Sequence, residues 1–81
     1  MNTPEVGATY RHYKGGLYAV IANAINEPTK SEVVVYRAKS DGTVWVRPLW
    51  RWNEEARVRV EVPPNTGKYK YESVQRFVRV E

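Results

Sequence analysis

The sequence predicts an all-β domain, a small SH3-like barrel or a rolled antiparallel sheet, with one short helical turn. Three observations lead there. Short runs rich in valine, tyrosine and tryptophan recur along the chain. Turn signals separate them, at Lys14-Gly15-Gly16, Ser40-Asp41-Gly42 and Pro63-Pro64-Asn65-Thr66-Gly67. Only the stretch 49–56 breaks the two-residue rhythm of a strand. An OB-like barrel is the alternative arrangement. Closing the sheet would remove the exposed edges that a valine-rich chain must protect.

Residues 1–8 are polar, with Pro4 and Gly7, and read as a loose lead-in. Thr9 to Tyr13 alternates and forms a first strand. Lys14-Gly15-Gly16 then supplies the positive φ angles of a tight hairpin, which glycine adopts without a Cβ clash. Leu17 to Ala22 is apolar on both faces, as in a central strand. Asn26 to Ser31 is a loop. Glu32 to Ala38, with three consecutive valines and a tyrosine, is the strongest strand signal. It returns through Ser40-Asp41-Gly42 as Thr43 to Arg47, and Pro48 stops the ladder. Leu49 to Ala56 is the helical turn, with Glu54 and Glu55 on its wet side. In Arg57 to Val62 three valines alternate with three charges, the pattern of a strand wet on one face. Tyr69 to Glu81 is a weaker signal that ends in an edge or closing strand around Phe77 to Val80.

The 81 residues make one domain, 1–81. A chain of this size buries only about 60% of its unfolded surface, so aromatic and aliphatic packing must supply its stability. It contains no cysteine, which fits a reducing cytoplasm. No basic-then-apolar leader opens the sequence, and no apolar run approaches a membrane span. The net charge is +4, with the surplus in the C-terminal third. That balance suits an anionic partner or simple solubility.

The parts for catalysis are missing, and the expectation is a binding module rather than an enzyme. His12 is the only histidine and has no neighbouring carboxylate in sequence to orient it. One histidine without cysteine cannot build a zinc site, and no cofactor motif is present. The candidate chemistry is instead a set of arginines among flat rings: Arg11, His12, Tyr13, Lys14, Tyr36, Arg37, Trp45, Arg47 and Trp50. Guanidinium groups bind phosphates and rings stack on unpaired bases, so nucleic acid is the first expected partner, with Arg11, Lys14, Arg37 and Arg47 on phosphates. In strand alternation Arg11 pairs with Tyr13 on one face, and Trp45 with Arg47 on another. Tyr10, Tyr18, Tyr36 and Trp45 are also natural core fillers, and His12 a natural structural histidine. The second expectation is a protein partner docking at Trp50-Arg51-Trp52, where two tryptophans two positions apart cannot both be buried on one narrow face. A small anionic ligand between Tyr13, Arg37 and Arg47 is a third. The chain is expected to be a monomer or a weak homodimer, without membrane contact.

Tyr10-Arg11-His12-Tyr13-Lys14-Gly15 followed by Tyr18, then Val34-Val35-Tyr36-Arg37, then Val44-Trp45-Val46-Arg47-Pro48-Leu49 resembles the bacterial family Domain of Unknown Function 1653. The three blocks cover about the first 50 residues. The family pattern continues from Pro-Leu into Glu-Met-Phe, where this chain has Trp50-Arg51-Trp52. It also carries a His-Ser-Glu where this chain has Ser31-Glu32 without the histidine. Beyond Arg57 the similarity rests on Arg76-Phe77. The resemblance implies a small β-rich domain and no particular activity.

Overall fold

A computed structural model describes residues 2–81; Met1, part of the lead-in, lies outside the described residues. Seven strands and one helical turn follow in the order β1 (Thr9–His12), β2 (Leu17–Ile25), β3 (Glu32–Ala38), β4 (Val44–Pro48), α1 (Leu49–Trp52), β5 (Ala56–Glu61), β6 (Tyr69–Val74) and β7 (Phe77–Arg79). Five strands form an antiparallel sheet in the order β4-β3-β2-β1-β7, while β5 and β6 pair only with each other. The strand apolar on both faces, β2, is the middle one. No barrel closes, because β4 and β7 remain at opposite edges.

Register decides which side chains meet. The pairs Tyr10↔Tyr18, His12↔Phe77, Val20↔Tyr36 and Val34↔Arg47 put these residues on one face, called here the front. The α1 turn lies against that face. Leu49 and Trp52, three residues apart, point inward together and join Val20, Val34, Tyr36 and Phe77 in the core. The back face carries Arg11↔Leu17, Ala19↔Arg37 and Val35↔Val46, and Val44, Val46 and Val78 on it are exposed. A β-bulge at Ile21 shifts the register between Val20 and Ala22. Beyond it Asn23 faces front, where its amide donates to the Pro4 carbonyl at 2.9 Å.

Two expectations change here. The N-terminal segment is not loose. Gly7 N–H donates to Val20 at 2.9 Å, Val20 N–H donates to Ala8 at 3.0 Å, and Asn53 reaches the Asn2 carbonyl at 2.7 Å. Pro4 and Ala8 within this strap are buried. Its polar composition hid the backbone hydrogen bonds, the Asn23 and Asn53 amides and the Glu5–Arg79 ion pair that hold it. The valines of the Arg57–Val62 stretch are not a core face either. Val58 and Val60 are half-buried and Val62 is exposed, since no layer packs on them.

The hairpin β5–β6 instead projects as an arm. The chain has a radius of gyration of 15.2 Å and extents of 49 × 27 × 18 Å. A compact domain of this length has a radius near 12 Å. The arm's turn is held by Glu61, whose carboxylate accepts from Asn65 N–H at 2.7 Å and Gly67 N–H at 3.0 Å. No helix among the described residues is long and apolar enough to cross a membrane.

Candidate functional site

Phe77, the only phenylalanine, is the hub of the front face. Trp52 stacks on it at 3.8 Å with parallel planes. His12, Tyr36 and Tyr18 meet it edge-on at 5.0, 5.9 and 6.0 Å. Edge-to-face contact places the positive rim of one ring on the negative face of another, so these rings fix one another's orientation. Into this cluster β4 delivers Arg47, whose guanidinium carbon lies 5.9 Å from the Phe77 centroid. Arg47 is half-buried, and its Nε is enclosed without a hydrogen-bond partner. A buried, unmet guanidinium donor is costly and calls for a reason.

The rim is cationic. His12 ends β1, and the chain turns immediately after it, so Tyr13 does not continue the alternation. It folds back beside the His12 ring, 4.5 Å away. Arg76 places its guanidinium over Tyr13 at 5.5 Å, and its Nε donates to the Glu54 carbonyl at 3.2 Å. Lys14 approaches the same ring at 5.8 Å, and its backbone N–H donates to His12 Nδ1 at 3.2 Å. With Nδ1 accepting, the ring proton sits on Nε2. Burial holds the His12 pKa below its usual value, and the positive charges of Arg76, Arg47 and Lys14 lower it further. Burial raises the Tyr36 pKa, and the positive charge of Arg47 and a hydrogen bond from its side chain oppose the shift. Three cations therefore act on one small aromatic corner, where Glu54 is the carboxylate paired to Arg76, at 3.6 Å.

The candidate residues sort by face. His12, Tyr13, Lys14, Tyr36 and Arg47 come together. Arg11 and Arg37 do not, because strand alternation puts them on the back face, and the pairing of Arg11 with Tyr13 on one face fails at the turn. Trp45 lies on the front strand face with Arg47 but is 52% exposed at the open edge, so it is no core filler. Tyr36 is 7% exposed and acts through packing. Trp50 is 54% exposed with Arg51 over its ring at 5.7 Å, whereas Trp52 is 5% exposed. Sequence reasoning missed Phe77 and Arg76 as parts of the corner. Their signal was a lone phenylalanine beside an arginine in an otherwise weak tail.

A separate cleft of about 570 Å³ lies under the N-terminal strap, lined by Tyr10, Trp52, Asn53, Glu55, Phe77 and Arg79 among others. Arg79 is paired to Glu5, and none of Arg47, Arg76 and Lys14 enters it, so the cleft has no free cationic character. Among the described residues no three His, Cys, Asp or Glu side chains gather as metal ligands do.

No curated protein and no solved structure matches the chain. A family match does extend past the three N-terminal blocks and takes in β5, β6 and β7, including Arg76 and Phe77. Over residues 8–79 the chain matches the family described as Protein of unknown function (DUF1653), and it belongs to that family.

Proposed function

We propose that this chain is a non-enzymatic nucleic-acid-binding module that seats an unpaired nucleotide at the Arg47 corner. Arg47, Arg76 and Lys14 take the phosphate, and the accessible rings of Tyr13 and His12 offer a stacking surface. The observation behind this reading is the gathering of three cations, Arg47, Arg76 and Lys14, around the His12 and Tyr13 rings. The setting we infer is the cytoplasm of a bacterium, the first from the absence of cysteine and the second from the family resemblance.

Anisotropy titration of a fluorescein-labelled single strand, at about 50 and 200 mM salt, tests the proposal. Wild type binds at low salt and loses affinity steeply at high salt, and Arg47→Gln loses most of the low-salt affinity. Absence of binding at low salt, or equal binding by Arg47→Gln, removes it.

The second reading is a protein partner at Trp50, favoured by the exposure of that ring under Arg51. Pull-down with Trp50→Ala tests it, and unchanged recovery of every partner argues against it. Trp52→Ala is unsuited, since Trp52 is core. The open β4 edge also leaves room for weak self-pairing between copies.

A further inference from the structure

The β5–β6 arm lies outside the Arg47 corner and has no packing role to explain it. An isolated two-stranded hairpin is marginal in water, so an arm that packs on nothing needs internal bracing. Arg59 lies over Tyr69 at 4.3 Å and Arg57 over Tyr71 at 5.1 Å. The register Arg57↔Ser73, Arg59↔Tyr71 and Glu61↔Tyr69 puts both pairs on one face of the ribbon. Tyr69 and Tyr71 are 51% and 61% exposed.

Charge on the arm is one-sided. Both of its carboxylates are engaged: Glu61 braces the turn, and Glu72 pairs with Lys70 at 3.3 Å. Among the described residues neither Arg57 nor Arg59 has an ion-pair partner. Two positions apart on a strand, they stand about 7 Å from each other.

We infer that this arm is a second nucleic-acid-binding element, one that lies in the groove of a duplex flanking the nucleotide at the Arg47 corner. The inference rests on the nucleic-acid reading proposed above and names the form of partner, a duplex carrying an unpaired nucleotide. Shape is the first argument. A major groove about 12 Å wide admits a two-stranded ribbon, and six paired residues reach about 20 Å along it. Chemistry is the second. Each guanidinium lies over one face of its tyrosine, which holds it in place on the ribbon. Arginine N–H edges remain for phosphates and base edges, which a duplex presents. Continuity is the third. The arm roots between Glu54 and Arg76, and Arg76 belongs to the corner through Tyr13.

The test titrates the full chain with three fluorescein probes of equal length: a single strand, a blunt duplex, and a duplex with one unpaired nucleotide. Arg57→Gln/Arg59→Gln should weaken both duplex probes at least tenfold and reduce the salt slope on them by about 2, with single-strand affinity within about twofold. Its melting temperature should match wild type. Arg11→Gln/Arg37→Gln removes equal charge from the back face and should leave every probe within about twofold. An equal loss in that control overturns the inference, because it means diffuse charge. So does displacement of duplex by poly-glutamate at matched charge. Wild-type duplex affinity in the arm variant, alongside lost single-strand binding in Arg47→Gln, overturns the arm and leaves the corner standing. If wild type binds no probe at low salt, both readings fall.

Discussion

Arg47→Met separates a binding arginine from a structural one by the size of its stability effect. Methionine keeps the apolar stem and deletes the guanidinium. The enclosed Nε has no partner, and an unmet buried donor costs about 1–3 kcal/mol. What the substitution removes is a cation–π contact with Phe77 at 5.9 Å, near the outer limit for such contacts, worth about 0.5 kcal/mol, and the hydrogen bond of the guanidinium to Tyr36, worth about 1 kcal/mol. It also relieves the positive field on His12. The net expectation runs from about 0.5 kcal/mol less stable to about 1.5 kcal/mol more stable, while single-strand binding is lost. Urea unfolding followed by circular dichroism reads the first part, and 1 kcal/mol moves the midpoint by roughly 0.3–1 M. A variant less stable than wild type by more than about 1 kcal/mol refutes the reasoning. Arg47 would then be an anchor of the fold, and its burial would need no ligand.

Other outcomes follow from the same geometry. Trp52→Ala should lose about 3–5 kcal/mol, a large share of the roughly 4–12 kcal/mol available to 81 residues, whereas Trp50→Ala should stay within about 0.5 kcal/mol; similar thermal midpoints for the two would contradict the placement of Trp52 in the core. The lowered His12 pKa means the folded state binds fewer protons, so its stabilising contribution is full above pH 6.5 and declines as pH falls through that value. An anion at the corner favours the protonated ring, so single-strand affinity should rise below pH 6.5, and His12→Gln should flatten that rise. Glu61→Ala should speed amide exchange at Asn65 and Gly67, with exchange in β2 and β3 unchanged; slow exchange at both would show that the carboxylate is not what holds the turn.

Strand positions were legible where local pattern and tertiary role agree. The three valines of β3 and the central place of β2 were readable, although only the front face of β2 is buried, at Val20, while Leu17 on its back face is exposed; the Gly15 and Gly42 turns follow from positive φ angles of 105° and 75°. Openness of the sheet was not legible. Alternation fixes which residues share a face, but whether the edges of a sheet meet depends on what packs across it. Here α1 and the N-terminal strap cover the front face, and neither covers the back. The alternation of β5 misled for a related reason. Cross-strand pairing in a free ribbon rewards the same two-residue rhythm that a buried strand does.

The site shows the limit of strand parity as a guide to function. Arg11 and Arg37 carry the same residue type, in equally suggestive aromatic company, as Arg47. They differ in standing one step out of phase with the core rings. One residue of register therefore divides solvated back-face cations from a guanidinium held among Phe77, Tyr36 and His12. Parity fails altogether at Tyr13, where the strand has already ended and the ring folds back on His12. What brings Arg76 there is not local sequence either. It follows the arm, and its bonds to Glu54 clasp the two ends of the arm's root. A bend of the arm under load would thus act directly on a cation of the corner. Were Arg76→Ala to release the arm from the corner, binding to a probe that spans both should fall more than the sum of the losses on single-strand and blunt-duplex probes.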